Sequence, residues 1–513
     1  MATRLTYTTG ARSPELDRSF EAALAEARER ETEPLAHLVS GRDVAAGEAF
    51  AREDPSRREQ VASRAREGGE LAAEAVETAH VAQREWRRLP HAERVAALRA
   101  TERLIDERKL ELAAAISLEV GKVRTESIAE VEEAIDLIET YCRQVESSAG
   151  FETPLGQLSP DERNTDVLRP YGVFGVIAPF NFPFALGFGM TAAALAAGNA
   201  VVLKPPEEAP RSGGAVAHLL AEAGVPAGVI SLVHGGPETG EALVGSTLDG
   251  VAFTGSAEVG REIGRRLSAG PFPKPVLAEM GGKNPAVVGA SADLEAAAEG
   301  IAKAAFGFSG QKCSACSRAI VVDEVHDELV ERLAAIAVAY SVGDPADPDV
   351  ATGPVVNEQA VERFERSAEA AHRDGVVAAG GARGDGAGWF VEPTVVSHLP
   401  LGHQLTRDEL FLPFVTVVRV PDFDTAMAEA NAVPYGLTAG VFSRDDDELD
   451  RFLDEIEAGV VYVNRRAGAT TGAWPGVQSF CGWKSSGLTG KGGLGPYYVQ
   501  QFAREQSRTI VEQ

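Results

Sequence analysis

Four segments of this 513-residue chain carry residues that could do chemistry together. The first is Gly310-Gln-Lys-Cys313-Ser-Ala-Cys316-Ser-Arg318. Its two cysteines have the spacing of a zinc or redox pair. Zinc needs four ligands, whereas Cys142 and Cys481 stand alone with no histidine at ligand spacing, so no metal is expected. The other reading is a nucleophile. The thiolate is the reactive form of cysteine, and Lys312 and Arg318 are expected to make its surroundings electropositive. Cys316 reads as a small buried apolar residue. The second segment puts Glu279 at the end of an apolar run, where a carboxylate is either paired or a tuned acid/base. The third, Phe253-Thr-Gly255-Ser256, follows an expected strand and opens an expected helix. Its N–H groups could cradle a pyrophosphate, and an ordinary turn with a serine N-cap explains it as well. In the fourth, Gly187-x-Gly189-x-x-Ala192 has Glu207 twenty residues beyond Gly187. That spacing suits a dinucleotide fingerprint, and close helix packing at the glycines explains it equally. A thiol, a carboxylate and a phosphate-cradling turn are the parts needed to oxidise an aldehyde with a nicotinamide. The sulfur adds to the carbonyl, a hydride leaves, and the base activates water to hydrolyse the remaining thioester.

The elements that must hold these residues follow from periodicity. Residues 15–147 read as helical, with apolar residues three and four apart, as in Val131–Ala134–Ile135–Ile138. Residues 150–168 read as a connector or edge hairpin. From 171 to 290, short β-branched runs (Val173–Ala178, Ala200–Leu203, Val229–Val233, Val251–Thr254, Pro285–Val288) alternate with helical stretches. That is the pattern of βαβ units and a parallel sheet. A second α/β block runs to about 465, with strands expected at Ala319–Val322, Phe414–Val420 and Val460–Val463. A Gly-rich tail follows, and Gln500–Val511 could form an exposed strand. The 33 uncharged residues from Tyr171 to Leu203 could pass for a membrane span, but Pro179, Asn181, Pro183 and several glycines make a buried strand, turn and helix the better reading.

Composition narrows the function classes. The formal charge of −27 disfavours a phosphate-backbone binder and an anionic membrane surface, so neither nucleic acid nor membrane is expected as a partner. Only 9 of the 49 basic residues are lysine. Four cysteines make no disulfide scaffold, and no apolar leader opens the sequence, so the expected compartment is the cytoplasm.

Six blocks resemble the aldehyde dehydrogenase superfamily: Pro179-Phe-Asn181-Phe-Pro183, Lys204-Pro-Pro-Glu207, Phe253-Thr-Gly-Ser256, Glu279-Met-Gly-Gly-Lys-Asn284, Gly310-Gln-Lys-Cys313 and Glu409-Leu-Phe411. They occur in family order across about residues 171–487. The resemblance implies an α/β fold with a Rossmann-type NAD-binding domain (1–147 and 168–279), an α/β catalytic domain (280–484) and a β-flap for oligomerisation (148–167 and 485–513). It implies Cys313 as nucleophile, Glu279 as base, and Asn181 with the Cys313 N–H as oxyanion hole. NAD would be held by Lys204 and Glu207 at the ribose, Gly236 and Gly240 near the adenine, Phe253, Gly255 and Ser256 at the pyrophosphate turn, and Glu409 and Phe411 at the nicotinamide end. The Gly187 pattern then loses its phosphate role.

A narrower resemblance, to the L-glutamate γ-semialdehyde (Δ1-pyrroline-5-carboxylate) dehydrogenases, rests on Gly310–Arg318 and on Thr471-Gly472-Ala473-Trp-Pro-Gly-Val-Gln-Ser-Phe480. It implies that Ser314, Gly472 and Ala473 grip the substrate α-carboxylate, that Phe182 and Phe480 sandwich its chain, and that Glu133 faces its α-amino group. A dehydrogenase of another acidic aldehyde, such as succinate semialdehyde, is the nearest rival. A coenzyme-A-acylating enzyme would lack Glu279, and a silent relative would have lost Cys313, Glu279 or Asn181. Three departures stand out. Leu412 replaces the usual Gly after Phe411 and could alter the nicotinamide side of the pocket. Cys481 interrupts a Phe-Gly-Gly, and Trp474-Pro475 enlarge the anchor loop. The first 40 residues match no pattern. A homodimer or larger assembly is expected from the flap. The acidic, lysine-poor composition is expected to suit high salt.

Overall fold

The computed structural model describes residues 5–7, 13–30 and 33–511. Two seven-stranded sheets frame it. The first runs Val276–Met280, Gly250–Gly255, Val173–Ile177, Ala200–Lys204, Ile230–Leu232, His37–Val39, Arg42–Val44. The first five strands are parallel and the last two antiparallel. The chain reverses direction across the sheet between Val173–Ile177 and Gly250–Gly255, and the crevice beyond the strand ends at such a point is where α/β sheets take ligands. The second sheet runs Val376–Ala379, Thr394–Ser397, Phe414–Val420, Cys316–Val322, Asn284–Val288, Thr438–Phe442, Val460–Val463. Only its Val376–Ala379 edge is antiparallel. Ala200–Lys204 and Asn284–Val288 are buried at every position. That is why the short apolar runs read so directly as strands: helices cover both faces of a parallel sheet, so no polar alternation is needed. The uncharged stretch 171–203 resolves into the strand Val173–Ile177, the helix Ala185–Ala196 and the strand Ala200–Lys204. Among the described residues no helix is long and apolar enough to cross a membrane.

The N-terminal region departs from its helical reading. Residues 37–66 contain the strands His37–Val39, Arg42–Val44, Ala49–Asp54 and Arg57–Arg66. Ser40 and Gly41 both take positive φ (54° and 72°), the geometry of a two-residue hairpin turn. His37–Val39 then extends the first sheet beside Ile230–Leu232. Tertiary pairing here overrides helix propensity. The tail strand Ala503–Val511 pairs antiparallel with Glu162–Pro170 over nine residue pairs, and Glu152–Pro154 lies on the far side of Glu162–Pro170.

One buried ion pair fixes the segment that carries Asn181 and Phe182. Lys122 Nζ lies 2.6 Å from Glu130 Oε2, with both side chains fully buried. The other Glu130 oxygen accepts the Phe184 and Ala185 N–H groups (2.9 and 3.2 Å), which are orphan donors at the start of Ala185–Ala196. Lys122 Nζ also sits 3.6 Å from the Phe182 ring centroid. Lys122→Ala leaves Glu130 charged and without its counter-ion, so it should cost about 3–5 kcal/mol of stability, measured as a lower denaturation midpoint.

Candidate active site

A cavity of 290 Å³ forms where the two sheets approach. Thr254 and Glu279, at the ends of first-sheet strands, line one side. Cys313 and Ser314, in the loop entering Cys316–Val322, line another. Phe182, Glu133, Gly472, Ala473 and Phe480 complete the set expected around a substrate.

The loop under Cys313 is clamped by its backbone. The Asn284 amide donates to the carbonyls of Cys313 (2.8 Å) and Ala315 (2.9 Å), while its oxygen accepts the Thr438 N–H (3.0 Å). Gly310 enters the loop at φ +68°, where an added Cβ would lie 2.0 Å from the Leu412 carbonyl oxygen, so only glycine fits. The Asn181 amide donates to the Gln311 carbonyl at 3.0 Å, two residues before the sulfur, and its side chain is buried. One of its two N–H groups remains for other use.

The thiol is not in an electropositive setting. Burial, then the charges of Glu409 and Glu279, push Cys313 up to about 12, against the pull of the Ser314 and Cys313 N–H groups. Lys312 pairs with Glu126, and Arg318 donates to the carbonyls of Lys283, Glu429 and Ala430. The expected cationic activation is therefore absent: both side chains are spent elsewhere. Cys316 is buried in the second-sheet core, its Sγ 3.6 Å from the Arg318 carbonyl. Among the described residues no cluster of His, Cys, Asp or Glu is placed to hold a metal ion.

Burial pushes Glu279 up to about 8, opposed by the N–H groups of Gly493 and Gly482. Its Oε2 is buried without a hydrogen-bond partner in the described structure. Glu409 is pushed up to about 7 by burial, and its Oε1 accepts the Gly282 N–H at 2.9 Å. Phe411 takes φ 58° and packs edge-on to Phe180, ring centroids 5.7 Å apart. Leu412 does not reach the cavity. It is buried in the cluster of Phe364, Phe414 and Trp389. Cys481 packs with Sγ 3.7 Å from the Gly459 carbonyl. Trp474 donates to Asp136 at 2.7 Å.

Of the residues expected around NAD, Lys204, Glu207, Gly236, Gly240, Phe253, Gly255 and Ser256 follow or end first-sheet strands, while Glu409 and Phe411 precede the second-sheet strand Phe414–Val420. Lys204 closes the strand Ala200–Lys204; its ammonium bonds the Pro205 carbonyl at 3.2 Å, and burial lowers its pKa. A Cβ on Gly236 would meet Glu207 Oε2 at 2.3 Å, so the bare backbone leaves a nook beside that carboxylate. Gly240 faces the Lys204 methylenes. Ser256 caps Ala257–Ser268 by accepting the Val259 N–H at 3.3 Å, and Gly255 ends the preceding strand over the Phe253 ring. A helix N-terminus, a buried ammonium and a carboxylate beside bare backbone suit a pyrophosphate and a ribose diol, so the residues present fit NAD. Gly187 and Gly189 lie inside Ala185–Ala196 against Ala178 and Leu137, where they serve packing, not phosphate.

Two contributors were missed. Asn284 has no role that the sequence alone assigns, although its place five residues beyond Glu279 is a usable signal. Tyr7 lies in the segment that matched no pattern, yet it lines the cavity and donates to Glu133 Oε2 at 2.5 Å.

A profile of the aldehyde dehydrogenase family matches residues 43–507. The 1-pyrroline-5-carboxylate dehydrogenase of Geobacillus sp. (strain WCH70) is 37% identical over 503 residues, covering 96% of each chain. That of Bacillus mycoides (strain KBAB4) is 36% identical, covering 92% of each. Among solved structures, the 1-pyrroline-5-carboxylate dehydrogenase from Thermus with bound NAD superposes with a TM-score of 0.94 at 34% identity, covering 100% of this chain and 99% of that one. With the match spanning the parallel strands of both sheets and every described residue of the cavity lining except Tyr7, the chain belongs to the aldehyde dehydrogenase family.

Proposed function

We propose that this enzyme oxidises L-glutamate γ-semialdehyde, the open form of 1-pyrroline-5-carboxylate, to L-glutamate with NAD, in proline catabolism. One observation carries the reading. The cavity that holds Cys313 and Glu279 also holds Ser314, Gly472, Ala473, Phe182, Phe480 and Glu133, a complement for a short chain with a carboxylate and an ammonium at its far end. Neutral hydroxyl and N–H donors can grip a carboxylate without an arginine. The relatives named for this substrate at 36–37% identity support it.

The steps follow from the groups present. Cys313 Sγ bonds to the aldehyde carbon as its proton passes to the Glu279 carboxylate. The free Asn181 N–H and the Cys313 N–H hold the resulting alkoxide. Lys204, Glu207, Gly236, Gly240, Phe253, Gly255, Ser256, Glu409 and Phe411 are the residues that would hold NAD, which when bound supplies the two-electron acceptor for the aldehyde carbon. Glu279, its proton released to solvent, takes a proton from water. The oxygen of that water attacks the Cys313 thioester, the C–S bond breaks, and the leaving sulfur takes the proton back from Glu279, restoring the thiol and releasing the carboxylic acid, which ionises to the carboxylate. Asn284 keeps the sulfur in register throughout by holding its carbonyl.

Residues 1–147 and 168–279 form the NAD-binding domain of this reading, 280–484 the catalytic domain, and 148–167 with 485–513 an oligomerisation flap. The assembly is a cytoplasmic homodimer or larger, and the net charge of −27 suits high salt. Removing 503–511 should give a smaller species in sedimentation, and molar KCl should raise the thermal midpoint of the intact protein. One KCl series with both readouts checks the two claims.

The substrate claim is checked by kcat/KM for L-glutamate γ-semialdehyde against succinate semialdehyde; a preference for the latter overturns it. Cys313→Ser should abolish NADH formation. Glu279→Gln should acylate yet turn over about 10²-fold or more slowly, the loss expected for a positioned base. The pH sign follows from Glu279. With a carboxyl raised to about 8, the base form is scarce below that pH. Turnover should climb roughly tenfold per pH unit on the acid side and level off above about 8, and a profile flat from 6 to 8 would count against Glu279 as base.

A further inference from the structure

Among the described residues ahead of the 43–507 family span, Tyr7 lines the cavity. Its hydroxyl donates to Glu133 Oε2 at 2.5 Å. Its ring meets Phe182 edge-on at 5.7 Å and Trp474 at 5.5 Å between centroids. Trp474 is itself tied to Asp136, and Lys312 Nζ lies 5.6 Å from the Tyr7 ring centroid while pairing with Glu126. Tyr7 therefore has a fixed orientation, and it spends its one donor on one oxygen of one carboxylate. Glu133 projects from Arg124–Ser147 and is 5% exposed. Burial pushes it up to about 7; the Tyr7 bond and the more distant Lys122 and Lys312 charges pull the other way. Without a donor on Oε2, this carboxylate would be less often ionised and free to rotate.

We propose that Tyr7 is a positioning residue for recognition of the substrate's α-ammonium group: it holds Glu133 by one oxygen so that the other faces the ammonium, and its ring closes that end of the cavity against Phe182. The inference rests on the reading of Glu133 as the group that meets the ammonium. It explains why a buried carboxylate with no salt-bridge partner among the described residues lines the cavity, and why an aromatic residue from outside the family span lines it too. A charge-assisted hydrogen bond constrains direction as well as adding energy, so its loss should be felt only by substrates that carry the cation.

The test compares L-glutamate γ-semialdehyde with glutarate semialdehyde, which has the same chain and carboxylate but no amino group. In Tyr7→Phe, which keeps the ring, the kcat/KM ratio of the amino substrate over the deaminated one should fall about tenfold, the loss residing in KM, as expected for a hydrogen bond to a charged group. Glu133→Gln should lower the same ratio, and the double variant should be no worse than Glu133→Gln alone, because Tyr7 acts through Glu133. An unchanged ratio in Tyr7→Phe overturns the proposal, as does an equal KM increase for both aldehydes, which marks a merely structural ring. If the unaltered enzyme does not favour the amino substrate, the Glu133 reading itself fails and the proposal falls with it.

Discussion

The reacting groups sit among protein atoms at the cavity where the two sheets approach, and that partial loss of solvent governs the chemistry. Ionised groups lose solvation there, so Cys313, Glu279 and Glu409 are each displaced toward the neutral form. Cys313 stands near 12, Glu279 near 8 and Glu409 near 7, with burial as the leading cause in all three. The same lowered polarity strengthens each remaining hydrogen bond donor. Asn181, Asn284 and the N–H groups of Cys313 and Gly282 therefore do by dipole what ion pairs would do at a wetter site. The charged side chains nearby are removed from the competition: Lys312 is held by Glu126, Lys122 by Glu130, and Arg318 by three carbonyls.

The parallel strands were legible because burial on both faces writes itself as short β-branched runs, as in Val173–Ile177 and Phe414–Val420. The strand Thr438–Phe442 was not, because it lacks an unbroken β-branched run yet is just as buried. The hairpins between 37 and 66 were hidden by Ala, Glu and Arg, residues that favour helix until a sheet edge offers them partners. At the site, motif residues were legible because each has a backbone reason to be where it is. Gly310 must turn beneath Leu412, and Glu279 must end a strand.

What sequence proximity could not supply was direction. Lys312 adjoins Cys313 in the chain, but its ammonium reaches a carboxylate 186 positions away. Leu412 adjoins Phe411 yet turns into the core. Tyr7 and Glu133 are 126 positions apart, and nothing local to either announces the other. Long-range pairings of this kind carry no periodicity.

The high thiol pKa has a consequence for chemical damage. With burial and two nearby carboxylates holding the Cys313 thiol well above its ordinary range, thiolate is scarce at neutral pH. Peroxide and alkylating electrophiles react with the thiolate, so the resting enzyme presents them with almost nothing to attack. The same environment that makes the sulfur wait for its substrate also shields it from oxidation between turnovers.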